Sequence, residues 1–385
     1  MCSNLSLFFN LIKSAIHMSD NKVYVAFANV LTCLGDGLAL QERLFKGMCG
    51  FSPASTCFPE SFPDENTPIG VIKDISESEY RIPNILKKMS ATGVIPSWIG
   101  QCDHIFSASS LGDLKGKNAG RPINDIEAHL SQIGCEKNVD LLVSSACSSG
   151  TDVLGQAYAM VKSGAANIIA VLAVDCLDPA KLRQHLALGT QSPEGAMPLD
   201  TKRNGTTFGE GGACVVVANS RGLSQIGETS DITIRGFGMS CDASDITAPA
   251  EHGQFLAKAI SKATASVGTP DFINLHGSGT PLSDAAEAAA LTLVFAERAH
   301  DIPVNGTKGA VGHLLGAAGL AEAVISIWAL KNQMLLGTVG HSELDPLIPL
   351  NVIGAGASAE TTLRSGLSIT CGFGGVNSCI AFERE

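Results

Sequence analysis

The chain has 385 residues, 45% of them apolar and 16% charged, with 41 glycines and a formal net charge of −11. Such a composition excludes a disordered chain and fits a compact α/β enzyme with a large core and many tight turns, built as one layered unit or two domains. The acidic balance excludes nonspecific nucleic-acid binding, which needs an extended basic surface. Local basic groups that could meet an acidic partner are Arg81, Lys87 and Lys88 on one predicted helix, and Lys202 with Arg203. Residues 1–17 lack the basic start and cleavage site of a leader peptide and read as an extension ahead of Met18. No stretch elsewhere has the length of a membrane span, so no stable membrane insertion is expected. The twelve cysteines show neither CxxC pairs nor a disulfide framework, which fits a reducing cytoplasm.

In chain order, Lys22 to Leu31 alternates as a first strand and Leu38 to Phe45 has helical spacing. Residues Gly50 to Pro68 read as irregular connection, and Tyr80 to Met89 and Ile123 to Ile133 as helices. Asp140 to Leu154, DLLVSSACSSGTDVL, begins as a short apolar run, crosses a small-residue turn at Cys147 and enters a helix. Asn167 to Val174 is a near-continuous apolar run, the signature of a strand covered on both faces. Met197 to Gly212 is a glycine-rich polar segment and Ala213 to Ala218 is apolar again. The second half repeats the theme: Ile232 to Met239 as strand, Gln254 to Ser266 as helix, Phe272 to Leu275 as strand and Ser283 to Phe295 as helix. Val311 to Leu330 is predicted as one further helix, with Leu367 to Cys371 and Ser378 to Phe382 as closing strands. Two halves, each with a central strand-turn-helix, suggest a duplication with its join near residue 220.

The turn at Cys147 is the chemically pointed one. A helix start offers free N–H groups and partial positive charge, which favour a thiolate and predict a lowered thiol pKa. Three small-residue turns in the second half hold further groups: His276 in FINLHGSGTPLSDAAE, Lys308 and His313 in NGTKGAVGHLLGAAGLAE, and the open backbone of ITCGFGGVN. One thiol, two imidazoles and one ammonium at strand ends or helix starts make a thiolate site with donors for an oxyanion.

These motifs, SACSSG, HGSGTPLSDAAE, NGTKGAVGHLLGAAG and CGFGGVN in that order, resemble the elongating β-ketoacyl-acyl-carrier-protein synthases, over about Lys22 to Phe382. The resemblance implies a thiolase-like α/β fold, two duplicated βαβ halves in a five-layer αβαβα sandwich, here residues 18–220 and 221–385. It implies decarboxylative Claisen condensation of malonyl units with a cysteine-bound acyl chain, in fatty-acid, type II polyketide or aryl-polyene synthesis. Carried over, Cys147 is the acyl-accepting nucleophile, His276 and His313 are the pair over the malonyl thioester, and Lys308 orders the site through Glu322. The N–H groups of Cys147 and Phe373 form the oxyanion hole, Phe373 is the gate, and Ser278 and Thr280 meet the phosphopantetheine arm. No metal or organic cofactor is implied beyond the phosphopantetheine on the acyl carrier protein.

The implied partners are that carrier protein and a second subunit, as a homodimer or a heterodimer with a chain-length-factor-like ketosynthase. The sequence departs from the family pattern in a short segment before the nucleophile, in Thr206 where phenylalanine is usual, and in Val376 where threonine is usual in the gate loop. Both substitutions bear on the acyl pocket and fit a specialised ketosynthase better than a housekeeping one. Two alternatives are a thiolase acting on β-ketoacyl-CoA, with Cys371 as its second cysteine, and a noncatalytic chain-length factor, a class that typically lacks the nucleophile present here.

Overall fold

The computed structural model describes residues 22–385 apart from residues 78, 116–117 and 357–360. The predicted extension at residues 1–17 lies outside the described residues. Among the described residues, five strands of three or more residues come from the first half: β1 (Val23–Thr32), β2 (His104–Ala108), β3 (Leu141–Val143), β4 (Ile168–Asp175) and β5 (Gly211–Ala218). Five more follow: β6 (Ile232–Cys241), β7 (Phe272–Leu275), β8 (Pro303–Gly306), β9 (Ser365–Gly372) and β10 (Val376–Arg384).

The spatial order is β3-β2-β4-β5-β1 in the first set and β8-β7-β9-β10-β6 in the second, the same permutation twice. Orientations repeat as well. Strand β2 runs parallel to β3 and β4, and β7 parallel to β8 and β9. The remaining neighbours in each set are antiparallel. The two sets join edgewise only at Val23 and Tyr24 against Ile234 and Thr233.

Apolar character explains the layering. Strands β4 and β5 are buried at every residue, as their unbroken apolar runs require. Two helices, Ser149–Ser163 and Ala318–Asn332, pack on each other between the sheets, and the second is buried along all but its last turn. A helix apolar all round belongs inside a large core, and this one makes its polar exceptions at Glu322 and Ser326. Outside the sheets lie Arg81–Ala91 and Pro122–Gln132 on one side and Gln254–Thr264 and Pro281–Phe295 on the other, each over its own apolar cluster. The result is five layers, helix-sheet-helix-sheet-helix. Close approach of the central helices needs glycine: a Cβ on Gly150 would sit 2.5 Å from the Leu320 nitrogen, and one on Gly319 2.2 Å from Thr151 Oγ1.

Three expectations need correction. The predicted helix Val311 to Leu330 is broken: Lys308–Val311 forms one turn, Gly312 and Leu315 take positive φ, and the long helix starts only at Ala318. The cause is tertiary, because the His313 N–H donates to the Thr207 carbonyl at 2.7 Å and its own carbonyl accepts from Gly209 at 3.0 Å, so neither is left for a helix. Arg81 is not part of a basic surface; it is 2% exposed and paired with Glu210. Arg203 is likewise tied to Asp345, whereas Lys202 stays exposed. Two strands, β2 and β8, and the helix Pro179–Ala187 were not predicted, although Asp178 caps that helix and Pro179 opens it.

Candidate active site

The site grows from three chain reversals at the ends of β3, β7 and β9, and from the broken segment after β8. Past β3 the chain makes a 3-10 turn, Ala146–Ser148, before its central helix, with Ala146 forced to φ 56°. That turn sets the Cys147 side chain at the wall of a cavity of about 830 Å³. His276, His313, Phe373, Ser278 and Thr280 line the same cavity. Cys147 and His276, 129 positions apart in sequence, thus face one cavity.

Lys308 does not reach the cavity. It is fully buried behind His276, with its Nζ bonded to the His276 carbonyl and to Glu322 and 3.2 Å from His276 Nδ1. An ammonium is only a donor, so Nδ1 accepts and the His276 proton sits on Nε2. At His313 the Leu315 N–H donates to Nδ1 at 3.1 Å, which fixes the same tautomer. The two rings lie 5.3 Å apart, edge to face. Burial, Lys308 and the neighbouring ring hold the His276 pKa well down, and burial with Lys308 and His185 does so for His313. Both imidazoles are therefore neutral near pH 7, each with its Nε2–H as donor.

The thiol departs from expectation. Burial pushes the Cys147 pKa up to about 11, outweighing Lys308 and the Phe373 N–H bonded to the sulfur, which both pull it down. The resting side chain is a thiol, not the thiolate expected from a helix start. Glu322 is pushed up to about 7 by burial, against the pull of Lys308.

Several contributors were missed in the sequence. Glu287 accepts the His276 and Gly277 N–H groups at 2.7 and 2.8 Å and so holds the histidine turn; Asp284 accepts from Gly279 and Leu199. Their spacing of three on one helix, SDAAE, was the available signal. Ser278 and Thr280 share a hydrogen bond of 2.8 Å at the cavity wall. His185 and Phe208 also line the cavity, and neither had a motif to announce it. Of the two substitutions, Thr206 does line the cavity, 2% exposed with its Oγ1 unpartnered, while Val376 lies in the hairpin behind it and is not among the lining residues.

Burial pushes Glu287 from its ordinary 4.5 up to about 8 and Asp284 from 3.8 up to about 6. Above pH 4.5 the unfolded chain has released the Glu287 proton while the folded chain keeps it, so the linkage slope is negative and stability falls as pH rises. From pH 6 to 8 the loss is about 1.4 kcal/mol per unit from Glu287. Thermal unfolding is expected to show the wild type losing Tm relative to Glu287→Gln as pH rises from 6 to 8; a Tm difference between the two chains that does not change with pH would refute this.

Among the described residues, Asp113, Cys176 and Asp178 are the one trio close enough to share a cation. All four of their carboxylate oxygens already accept backbone N–H groups, and Lys181 Nζ lies 3.9 Å from the sulfur, so the trio is a bonded structural cluster.

Comparison with known proteins agrees with this geometry. Residues 137–221 match the model of the β-ketoacyl synthase N-terminal domain and residues 232–342 that of the C-terminal domain. The mitochondrial 3-oxoacyl-[acyl-carrier-protein] synthase of Arabidopsis thaliana is 33% identical over 252 residues, 62% of this chain and 55% of that protein. The putative polyketide β-ketoacyl synthase 1 of Streptomyces halstedii is 33% identical over 249 residues, 62% of this chain and 59% of its own length. The matches thus span less than two thirds of these relatives. The solved ishigamide ketosynthase/chain length factor superposes with a TM-score of 0.83 at 20% identity, over 95% of this chain and 100% of that one, which establishes the shared thiolase-like fold. With both of its family domains matched in order, and with one cavity collecting the residues of all four motifs, the chain belongs to the β-ketoacyl synthase family.

Proposed function

We propose that the protein is a β-ketoacyl-acyl-carrier-protein synthase, which condenses a malonyl thioester with an acyl group held on Cys147. The observation that supports it best is the pair of neutral imidazoles, both fixed as Nε2–H donors, in the cavity that also holds the thiol. In the first half-reaction the Cys147 thiol attacks the carbonyl of the incoming thioester, the bond to the carrier sulfur breaks, the proton lost by Cys147 passes to that departing sulfur so that the carrier leaves as its thiol, and the passing oxyanion is met by the N–H groups of Cys147 and Phe373. In the second, the bond between the malonyl carboxylate and Cα breaks, CO₂ departs, and the electron pair becomes an enolate whose oxygen accepts from His276 and His313. The enolate carbon then attacks the acyl-cysteine, forming the new carbon-carbon bond and releasing the sulfur.

In this reading Lys308, itself held by Glu322, orders His276 directly, while Ser278 and Thr280 receive the phosphopantetheine arm and Phe373 gates the cavity. Acyl carrier protein is the proposed substrate carrier. A second subunit, either another copy or a chain-length-factor-like ketosynthase, is the proposed partner, and residues 18–220 and 221–385 the proposed duplicated halves. No helix among the described residues is long and apolar enough to cross a membrane, and we place the enzyme in the cytoplasm. The buried hydroxyl of Thr206 in the cavity wall supports a specialised polyketide or aryl-polyene role over a housekeeping one.

The test is intact mass spectrometry after incubation with a panel of acyl carrier-protein thioesters, followed by malonyl carrier protein. Acyl mass on Cys147 that is consumed to a product two carbons longer is expected. Cleavage of β-ketoacyl-CoA without malonyl substrate would instead favour a thiolase, for which Cys371 in the same cavity would serve as second thiol. A chain that never takes up acyl mass would favour a chain-length factor.

A further inference from the structure

Three aromatic rings meet at one wall of the cavity. Phe208 stacks on His185 with centroids 3.6 Å apart and planes 18° from parallel, and stacks on His313 at 5.6 Å and 21°. Its backbone is tied to the same histidine, because the segment Thr207–Gly209 brackets His313 with the two hydrogen bonds described above and Phe208 pairs with it as a β-bridge. His185 is set from the other side by the capped helix Pro179–Ala187, whose buried Lys181 bonds Asp175 at 2.9 Å and the Cys176 carbonyl at 2.8 Å. The His185 Nδ1 lies 3.3 Å from Thr190 Oγ1. Burial and Lys181 hold its pKa down to about 4, so the ring stacks as a neutral aromatic.

The bond from the Leu315 N–H fixes the tautomer of His313 but leaves its ring free to tilt about that bond. A flat, near-parallel neighbour removes the tilt. We propose that Phe208, backed by His185, is a positioning residue for His313, holding the plane of that imidazole so that its Nε2–H points at the developing enolate oxygen. The inference rests on the ketosynthase reading and deepens it. It requires aim rather than contact with the reacting atoms, and misalignment of a donor is costly where the charge develops.

Phe208 also packs with Phe58, Phe62 and Leu182, so a purely structural role has to be told apart from a positioning one. Acyl loading of Cys147 does not use the enolate and serves as the internal reference. The experiment measures acyl loading by intact mass and, separately, conversion of malonyl to acetyl carrier protein, in the full chain and in Phe208→Leu, His185→Ala and His185→Phe. For Phe208→Leu, loading is expected within about twofold of wild type and decarboxylation to fall roughly tenfold or more. His185→Ala is expected to show the same split more weakly, and His185→Phe, which restores a flat ring, to recover most of it. Equal losses in both half-reactions, no loss in either, or no recovery in His185→Phe would overturn the proposal. A wild-type chain that neither loads nor decarboxylates would instead sink the ketosynthase reading itself.

Discussion

Cys147→Ala is expected to abolish acyl-enzyme formation and to lower condensation by at least about 10³-fold, because it removes the sulfur on which the covalent intermediate is proposed to form. Cys371 lines the same space, and burial with the nearby Glu287 holds its pKa well above the ordinary thiol range. The substitution removes one small side chain from a half-buried turn, so the fold should persist and the melting temperature should change little. Intact mass after incubation with acyl carrier protein reads the outcome directly. A variant that still acquires acyl mass at the wild-type rate would remove Cys147 from the mechanism.

Substituting either imidazole should separate the half-reactions. His276→Ala and His313→Ala each delete one of two N–H donors aimed at the enolate oxygen, a loss worth about 10²–10³ in the decarboxylation rate. Acyl transfer to Cys147, stabilised by backbone N–H groups, should be affected much less. Each variant also leaves a buried donor with one acceptor fewer, the Lys308 ammonium in His276→Ala and the Leu315 N–H in His313→Ala, so both should lose some stability. Release of CO₂ from malonyl carrier protein, measured beside acyl loading, checks the split. Parallel loss of both activities would argue that the histidines serve the thiol and not the enolate.

The elements and site residues legible in the sequence were those announced by short-range chemistry. Strands β4 and β5 could be read because a sheet covered on both faces demands unbroken apolar runs, and the Cys147, His276, Lys308 and His313 turns because small residues flank a reactive one. Strand β8 escaped because PVNG has too few apolar residues to show a period; its place in the sheet comes from its neighbours β7 and Asn351–Val352. The broken helix at Gly312 escaped for a related reason, since the backbone partners that interrupt it lie about a hundred residues earlier. The thiol's raised pKa was invisible because burial is a property of the assembled cavity, whereas the helix start that argued for a thiolate is local. His185 and Phe208 had no signal at all: their importance is a matter of which ring each one faces.

The repeated strand order gives the chain two halves built alike, and the turn at Cys147 has a counterpart in the second of them. Leu315, Gly316 and Ala317 form a second 3-10 turn ahead of the other central helix, with Leu315 at φ 54° where Ala146 has 56°. In that counterpart the position matching Cys147 is Gly316, whose N–H donates to Asp175 at 3.0 Å, and a Cβ there would lie 2.3 Å from the Ser110 nitrogen. One of the two turns has an open wall and a sulfur; the other is packed shut against Ser110 and Asp175. A thiol transplanted to Gly316 has nowhere to go, so the asymmetry between the two copies is now irreversible by any single replacement at that position.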